Sequence, residues 1–491
     1  MPHSETELQP HLDELKLPAE TDLPANRRIY CNRDLRLDLV EVIGFDMDYT
    51  MAVYHQEAID RVSIEATVGK LIRKGYPEGL RDVSLELRFP IRGLLIDRKL
   101  GNILKTDRYR YPKKAYHGTR LLSSEQRRGV YANNRIRAGT PRYHSIDTLY
   151  AFCEVTLYAA AIDYLDRPGS RLNYDRLFDD VRASIDEAHR DGSIKDRIAE
   201  EPERFLLRDP DLGPMLHRLR SAGKRLFLLT NSDASYTTMV MRYLVGDDRQ
   251  YPHWERFFDA VITDARKPGF FTEQQKFSLV GAPYRPVDNL ERGRVYQGGS
   301  LSEFEQLMQV SGDRILYVGD HIFGDVLRAK KTSAWRTLMV IQELSGELVA
   351  YKRFSREIRR MHELEQRRYE LIDGVRDGQA RLRALQRKID RGDLQQGQGS
   401  EARRNTLKHD INVLKSELQQ VELEHAGLEL KVDEAYHPFW GSPLKAESEL
   451  SSFGEQVERY ACLYTDRVTN LLHYSPGHFF RGPRHRMAHE P

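Results

Sequence analysis

Apolar runs that stop abruptly at polar residues recur along this chain and determine the fold we expect. The first run, Val42–Phe45, is followed by Asp46 and Asp48, one residue apart. Similar runs, with amphipathic helical stretches such as 211–222 between some of them, lie at 224–230, 260–263, 314–320 and 337–341. Near-continuous apolar runs are typical of buried parallel strands, and strands that alternate with helices form sheets with right-handed crossovers. The pattern therefore predicts an α/β protein with a parallel central sheet.

Two long segments depart from this alternation. Residues 57–200 separate the first strand from the second, and a segment of that length is an inserted domain rather than a loop. Between 353 and 434, apolar residues recur at spacings of three and four around a polar turn, which predicts an antiparallel hairpin of two long helices. In chain order we expect a flexible arm (1–25), a first core segment with the nucleophile strand (26–56), an α+β cap (57–200), a second core segment (201–352), the hairpin (353–434) and a C-terminal segment packed on the core (435–491).

Composition adds mainly exclusions. A hydrophobic share of 40%, a charged share of 31% and a net charge of +2 fit a soluble globular protein and give no global field for nucleic acid. The three cysteines match no zinc or redox spacing. The polar, acidic start is unlike a secretory signal, and the apolar window 149–165 is interrupted by acids. We therefore expect a cytoplasmic protein without a nucleic-acid or membrane partner.

Polar residues of distinct kinds follow four of the five predicted strands. Because the carboxyl ends of parallel strands share one edge, these residues should meet in a single crevice. They are Asp46 and Asp48, then Thr230 and Asn231, then Lys267, and finally Asp320 and Asp325. Phosphoryl transfer needs such a set, because it requires a nucleophile, a cation and donors for the phosphate oxygens.

The two aspartates of the first strand would divide the chemistry between them. Asp46 would attack phosphorus and form an aspartyl-phosphate, while Asp48 would protonate the leaving oxygen and then activate water. Asp46, Asp320 and either the carbonyl or the carboxylate of Asp48 are hard oxygen ligands that suit Mg²⁺. The alternative is a strand that ends in an ordinary polar turn.

The remaining residues would hold the phosphate. Thr230 and Asn231 would donate to phosphate oxygens, Lys267 would neutralise charge, and Asp325 would orient Lys267 or a metal-bound water. Each also has a structural alternative, since the stretch 230–233 can cap a helix and Lys267 can be a loop lysine. The absence of a GxxxxGK[ST] loop disfavours a P-loop NTPase.

These residues also resemble a known family. The pattern Asp46-x-Asp48-x-Thr50, with Thr230, Lys267 and the block 319–325, resembles the four motifs of the haloacid dehalogenase superfamily, which implies a Rossmann-like core. More narrowly, the chain resembles the cytosolic purine 5′-nucleotidases from about residue 28 onward. The matching stretches are GFDMDYTMAVY, LIDRKLGNILKTD, TNSDASYT, ARKPGFF, YVGDHIFGDVLRAKK, FWGS and ERYACLYTDRVTNLL.

The resemblance implies a Mg²⁺-dependent 5′-nucleotidase for purine monophosphates of the IMP and GMP type. It further implies phosphotransfer to a nucleoside acceptor, a homo-oligomer (dimer or tetramer) and a cap that covers the site. Family positions for the nucleobase correspond to Tyr150, Arg182, Asp186 and His189, although a surface salt bridge would equally explain Arg182 and Asp186, one helical turn apart.

Two features of the family pattern are altered or incomplete. The residues beside the nucleobase positions are Ala151 and Arg190, so base selectivity is expected to differ from that of the animal enzymes. Phe323 and Lys331 match positions of an adenine-nucleotide effector site, which leaves regulation by ATP open. A phosphatase of another phosphorylated metabolite, or a catalytically idle scaffold that assembles through 353–434, are the competing hypotheses.

Overall fold

The computed structural model describes residues 22–132, 136–137, 139–167, 171–246, 251–321, 333–392 and 397–483. Within these residues no helix is long and apolar enough to cross a bilayer. Most of the predicted arm, residues 1–21, lies outside the described residues. At its end Leu23 is buried, and its carbonyl accepts a hydrogen bond from Arg28 Nε at 2.8 Å.

The described residues belong to two compact units, one up to residue 345 and from 443 onward, the other 346–442. The α-helices, in chain order, are α1 (Gln56–Arg73), α2 (Ser124–Tyr131), α3 (Phe152–Leu165), α4 (Tyr174–Arg190), α5 (Lys195–Glu200), α6 (Pro202–Phe205), α7 (Leu212–Ser221), α8 (Ala234–Val245), α9 (Gly269–Thr272), α10 (Leu301–Met308), α11 (Leu344–Arg353), α12 (Ser355–Asp390), α13 (Gln398–Tyr436) and α14 (Ser452–Tyr460).

The strands, in chain order, are β1 (Tyr30–Cys31), β2 (Leu35–Arg36), β3 (Val42–Phe45), β4 (Val53–Tyr54), β5 (Leu94–Asp97), β6 (Asn102–Thr106), β7 (Pro112–His117), β8 (Arg120–Leu121), β9 (Tyr143–Ile146), β10 (Leu206–Leu207), β11 (Arg225–Leu229), β12 (Ala260–Thr263), β13 (Phe277–Leu279), β14 (Val295–Gly298), β15 (Ile315–Gly319), β16 (Arg336–Val340), β17 (Lys445–Ala446), β18 (Glu449–Leu450), β19 (Leu463–Thr465) and β20 (Phe479–Phe480).

The central sheet has the strand order β1-β19-β16-β15-β3-β11-β12-β14-β13. Only its two edge pairings, β1 with β19 and β13 with β14, are antiparallel; the pairings between them are parallel. The five strands expected from the apolar runs are β3, β11, β12, β15 and β16, and the strand that carries the two aspartates lies at the centre. The predicted parallel α/β core is confirmed.

A glycine in the central strand allows two aromatic rings to meet. Gly44 lies in register with Phe227 of β11 on one side and Tyr317 of β15 on the other. The two rings stack with centroids 6.2 Å apart, and a Cβ on Gly44 would lie 2.0 Å from Phe227 Cζ. Trp335 packs against both rings, at 5.9 and 6.0 Å. Because no side chain fits at position 44, this aromatic core can extend beneath the end of the strand.

The segment from α1 to α5 contains the α+β cap that the fold class predicted. Its five strands form an antiparallel sheet in the order β8-β7-β6-β5-β9, and α1, α3 and α4 pack against one another. Asp97 is fully buried in this sheet and accepts hydrogen bonds from Arg142 at 2.6 and 2.9 Å and from Tyr131 at 2.9 Å. Charged and hydroxyl donors offset the cost of burying that carboxylate.

In the second unit, α12 and α13 form the predicted helical hairpin. Buried apolar residues face each other along the seam, among them Leu364, Leu371 and Val421. The helices approach closely at Gly378, where a Cβ would lie 2.8 Å from Ile411 Cγ1. This spacing of apolar residues and the helix pairing are those of a two-stranded antiparallel coiled coil.

Candidate active site

The turn after β3 fixes the two aspartates. The backbone N–H of Asp46 donates to Val318 of β15 at 2.9 Å, so the position of Asp46 is set by the sheet. The chain then folds back, with the carbonyl of Met47 accepting the N–H of Ala52 at 2.9 Å. Tyr49 takes a left-handed conformation with φ of 59°, which non-glycine residues seldom adopt. This tight turn places the side chains of Asp46 and Asp48 on the wall of one cavity.

Lys267 is the cation partner of Asp46. Its Nζ lies 2.8 Å from Asp46 Oδ1, which also accepts the N–H of Met47 at 2.8 Å. The same ammonium donates to the hydroxyl of Tyr317 at 3.1 Å, and that hydroxyl donates to the carbonyl of Leu229 at 3.3 Å. Both charged side chains are largely buried, which strengthens their attraction. The predicted nucleophile is therefore held as an oriented carboxylate beside a positive charge.

Asp48 is held differently, by hydroxyl groups. Tyr54 Oη lies 2.6 Å from Asp48 Oδ1, and Ser232 Oγ lies 2.8 Å from Asp48 Oδ2. Behind Tyr54, the hydroxyl of Tyr236 lies 3.0 Å from the hydroxyl of Tyr54. Burial, followed by the nearby charge of Asp48, raises the pKa of Tyr54 and of Tyr236 above the usual value, so both phenols keep their protons. Each oxygen of Asp48 thus has a fixed hydroxyl partner.

The residues that follow β11 have different hydrogen-bond partners and different tasks. Thr230 is fully buried, and its Oγ1 accepts the N–H of Ser232 at 3.1 Å. The side-chain amide of Asn231 forms two hydrogen bonds with the backbone of Lys267, at 2.6 and 3.0 Å. That amide holds the lysine loop in place, whereas the sequence predicted it as a phosphate donor. Asp233 caps α8 by accepting the N–H of Tyr236 at 2.9 Å, as the structural alternative anticipated.

Asp320 directly follows β15, the strand that pairs with β3. It is 2% exposed, its carbonyl accepts Arg92 Nη1 at 2.7 Å, and Oδ1 lies 3.5 Å from Thr50 Oγ1. Arg92 is itself fully buried and pairs with Glu343, so it anchors the backbone of this loop. Asp325, together with the predicted effector residues Phe323 and Lys331, lies outside the described residues.

The donor set at this edge fits a hard metal ion, but not through three carboxylates. Among the residues that the structure describes, no group of three or more His, Cys, Asp and Glu side chains is arranged to bind a metal. Each carboxylate oxygen of Asp48 accepts a hydroxyl hydrogen bond and the carboxyl group is the predicted proton carrier, so we take the carbonyl of Asp48 as the candidate ligand. The carboxylates of Asp46 and Asp320 with that carbonyl form an all-oxygen set of the kind that suits Mg²⁺.

A cavity of about 930 Å³ joins these groups to the cap. The cap side of its wall includes Tyr150, His189, Arg190 and Lys195. The rings of Tyr150 and His189 are in contact, with centroids 4.4 Å apart and planes inclined by 35°. Burial, with a smaller effect from Lys195, lowers the pKa of His189 to about 4, so its imidazole is neutral near pH 7. Two of the four predicted nucleobase residues therefore line the cavity.

The other two predicted nucleobase residues, Arg182 and Asp186, do not line it. Arg182 Nη1 instead lies 3.2 Å from Glu154 Oε2 and 3.0 Å from His144 Nε2. Burial raises the pKa of Glu154 to about 7, although Arg182 opposes that rise. Asp186 is exposed. The ion pair of Arg182 is therefore with Glu154, whose side chain is buried, and is not the surface salt bridge with Asp186 that was the alternative.

Several residues of the site were not foreseen from the sequence. Tyr54 and Tyr236 hold Asp48, and Arg92 holds the loop of Asp320. Lys195 of α5 lines the cavity, with its Nζ 2.5 Å from Asp233 and 5.1 Å from the ring centroid of Tyr236. Of these residues, only Tyr54 could have been suspected from the sequence, because it lies six residues after Asp48; the others come from distant regions of the chain.

Similar proteins were found among curated sequences. A 5'-nucleotidase domain-containing protein of Dictyostelium discoideum is 26% identical over 94% of this chain and 74% of its own length. The 5'-nucleotidase domain-containing protein 2 of Homo sapiens is 31% identical over 69% of this chain and 67% of its own length, and that of Rattus norvegicus is 31% identical over 65% and 60%.

Solved structures of similar proteins include the YfnB hydrolase of Bacillus subtilis bound to magnesium, at 13% identity, covering 61% of this chain and 88% of that one, with a TM-score of 0.23. L-2-haloacid dehalogenase from Xanthobacter autotrophicus matches at 16% identity, covering 64% and 83%, also with a TM-score of 0.23. Likenesses at such TM-scores carry no argument about function. The sequence model of the 5' nucleotidase family, by contrast, matches residues 29–491. The chain belongs to the 5' nucleotidase family.

Proposed function

We propose that this protein is a Mg²⁺-dependent phosphohydrolase that cleaves purine nucleoside 5′-monophosphates of the IMP and GMP type through an aspartyl-phosphate. The observation that carries this proposal is the pair formed by Asp46 and Lys267 at 2.8 Å, on the wall of a cavity shared with Asp48 and Asp320. Family membership supports a 5′-nucleotidase, while the purine preference rests on the resemblance of the sequence.

In the first step, an oxygen of Asp46 forms a bond to phosphorus as the bond from phosphorus to the nucleoside O5′ breaks. Asp48 gives its proton to O5′, and the nucleoside leaves. In the second step, water attacks the aspartyl-phosphate, Asp48 takes a proton from that water, and Asp46 is released. A nucleoside hydroxyl in place of water gives phosphotransfer. Lys267 neutralises charge on the nucleophile and the phosphate throughout.

The carboxylates of Asp46 and Asp320 and the carbonyl of Asp48 would hold Mg²⁺. Bound there, the ion supplies positive charge against the phosphate oxygens. Thr230 follows β11 at the same edge of the sheet, and its hydroxyl would donate to a phosphate oxygen. Because the side chain of Asn231 is engaged with Lys267, we assign it to positioning that lysine.

Residues on the cap side of the cavity would determine the substrate specificity. Tyr150 and His189 line the cavity with their rings in contact, and aromatic rings of this kind would stack on a nucleobase. A neutral His189 can accept or donate a hydrogen bond at the base edge. Regulation by an ATP-type effector and assembly into a homo-oligomer stay predictions from the resemblance.

Phosphate release from IMP with Mg²⁺ tests the proposal. We expect turnover by the natural protein and none above background in Asp46→Asn, because the amide is not a nucleophile for phosphorus. Asp313→Asn, a matched change on an exposed loop, should leave turnover intact. Comparable turnover in Asp46→Asn would overturn the mechanism. In a wider panel, highest kcat/KM on a sugar or cofactor phosphate would overturn the purine assignment.

A further inference from the structure

We propose that Tyr54, supported by Tyr236, is the positioning residue that aims the proton-transferring carboxyl group of Asp48 at the leaving-group oxygen. The inference rests on the proposed function, because it assigns a task within that reaction. It follows from a chain of three groups, with 3.0 Å between the two phenol oxygens and 2.6 Å between Tyr54 and Asp48 Oδ1.

The direction of these hydrogen bonds is determined by what each group can donate. As a carboxylate, the form in which it takes the proton of water, Asp48 only accepts, so Tyr54 gives its single hydroxyl hydrogen to Asp48 Oδ1; the proton that Asp48 carries in the first step occupies another lone-pair site. Tyr54 can then only accept from Tyr236, which is therefore the donor in the second bond. Hydrogen bonds that run in one direction polarise one another, so the outer phenol strengthens the inner bond.

The two hydroxyl partners also leave some of the carboxylate of Asp48 available. A carboxylate has about four lone-pair sites, and Tyr54 and Ser232 occupy one on each oxygen. Asp48 itself lines the cavity. With one anchor on each oxygen the carboxyl group cannot turn about its last torsion without breaking a bond. A remaining site therefore keeps a constant orientation toward the bound substrate, which is what proton transfer requires.

The tyrosines are themselves well fixed. Tyr54 is the last residue of β4, pairs with Leu206 of β10, and packs its ring against Tyr49 with centroids 5.0 Å apart. Tyr236 lies in the first turn of α8, and the ammonium of Lys195 lies 5.1 Å from its ring centroid. Both are less than a tenth exposed. A partner held this firmly can orient Asp48 with little loss of entropy on catalysis.

Leaving-group dependence separates this role from a merely structural one. A nucleoside leaves as a strongly basic alkoxide unless Asp48 protonates it, whereas 4-nitrophenolate leaves as a stable anion. The value of kcat/KM depends on the steps up to formation of the aspartyl-phosphate, and the leaving group departs in those steps, so kcat/KM depends on the leaving group. General acid catalysis contributes roughly 10²- to 10⁴-fold, and we expect Tyr54→Phe to lose about 30- to 300-fold of it on IMP. On 4-nitrophenyl phosphate we expect a loss of about threefold or less.

Two further variants complete the experiment. Tyr236→Phe removes only the hydrogen bond between the two phenols and should lower kcat/KM on IMP by about threefold to tenfold. The value of kcat/KM on 4-nitrophenyl phosphate should again change little. Tyr76→Phe is the matched control, since it removes a tyrosine-to-carboxylate bond to Asp180 of 2.9 Å that is remote from the cavity wall. Tyr76→Phe should leave kcat/KM unchanged on both substrates. If Tyr54→Phe fails to fold by its thermal melt, the IMP-selective loss in Tyr236→Phe carries the test.

The outcomes separate this inference from the proposed function. Equal losses on the two substrates, or no loss on either, in a folded Tyr54→Phe variant would refute the positioning role while turnover by the natural protein upholds the function. No phosphate release by the natural protein from either substrate with Mg²⁺ would refute both.

Discussion

The two walls of the cavity are built on different principles. On the core side, the acids have dedicated partners: Asp46 has the ammonium of Lys267, and Asp48 has the hydroxyls of Tyr54 and Ser232. On the cap side, next to the lining residue Ile59, Asp60 of α1 is 1% exposed; its Oδ1 accepts a hydrogen bond from Gln56 Nε2 at 2.9 Å, and burial raises its pKa to about 8.

This difference indicates where precision is needed. Partners that are charged or hydrogen-bonded hold the reacting groups in one geometry, which phosphoryl transfer requires. The cap wall includes the aromatic side chains of Tyr150 and His189, and stacking on aromatic rings tolerates variation in the ligand. We therefore expect changes on the core wall to lower kcat and changes on the cap wall to alter KM.

The largest effect should come from removing the cation on the core wall. Lys267→Met should lower kcat for nucleotide hydrolysis by about 10²- to 10³-fold, since one preorganised electrostatic contact is worth roughly 3 to 4 kcal/mol. Steady-state phosphate release measures it. Lys276→Met, at a 61% exposed side chain, is the matched control and should leave kcat unchanged. A fall of less than threefold in Lys267→Met would contradict the role given to the core wall.

The next effect concerns the stability of the cap, at the buried Asp60 of α1. The pKa of Asp60 is about 8 in the folded protein against 3.8 ordinarily, so the unfolded chain releases its proton first as pH rises. The stability linked to that proton is full below about pH 4 and is lost as pH rises to 8. Relative to Asp60→Asn, the natural protein should lose about 1.4 kcal/mol of unfolding free energy per pH unit between pH 5 and 7.

Urea unfolding at pH 5, 6, 7 and 9 measures this difference. The gap between Asp60→Asn and the natural protein should stop widening above about pH 8. Asp313→Asn, at an exposed residue, should show no such widening. A constant gap over the whole range would show that Asp60 ionises normally in the folded protein.

A smaller effect should follow from removing an aromatic face of the cap wall. Tyr150→Leu should raise KM for IMP by about tenfold and change kcat by less than threefold, since stacking of a base on a ring is worth roughly 1 to 3 kcal/mol. Initial rates over a range of IMP concentrations measure both constants. Tyr369→Leu, on the hairpin helix α12, is the control. If kcat fell with KM unchanged, the separation of the two walls would be wrong.

The smallest effect should come from Arg182, which the family pattern placed at the nucleobase. Because its guanidinium binds Glu154 and His144 and does not line the cavity, Arg182→Gln should change KM for IMP by about twofold or less. A tenfold rise would show that Arg182 reaches the ligand in the complex, and the same assay as for Tyr150 decides it.

The sequence predicted which strand each candidate catalytic residue follows, because the signals for a strand and its polar end are local. An apolar run followed by acids marks Val42–Asp48, and Lys267 and Asp320 follow runs of the same kind. The outer strands β1, β19 and β13 were missed, because two or three residues carry no periodicity, and the four-residue strand β14 was missed as well. Helical spacing correctly placed Arg182 and Asp186 on one helix. Spacing alone does not show which residues of other elements pack against that face of the helix. Tyr236 reaches Asp48 only through tertiary packing.

The aromatic core beneath Gly44 has a practical consequence. Trp335 lies 6.0 Å from Tyr317, whose hydroxyl accepts a hydrogen bond from Lys267. An anion that draws the ammonium of Lys267 away from Tyr317 changes the electric field at the indole. The chain has three tryptophans, so replacing Trp254 and Trp440 by phenylalanine leaves Trp335 as the sole indole emitter. We expect its fluorescence to report occupancy of the site in real time, without turnover or an added dye.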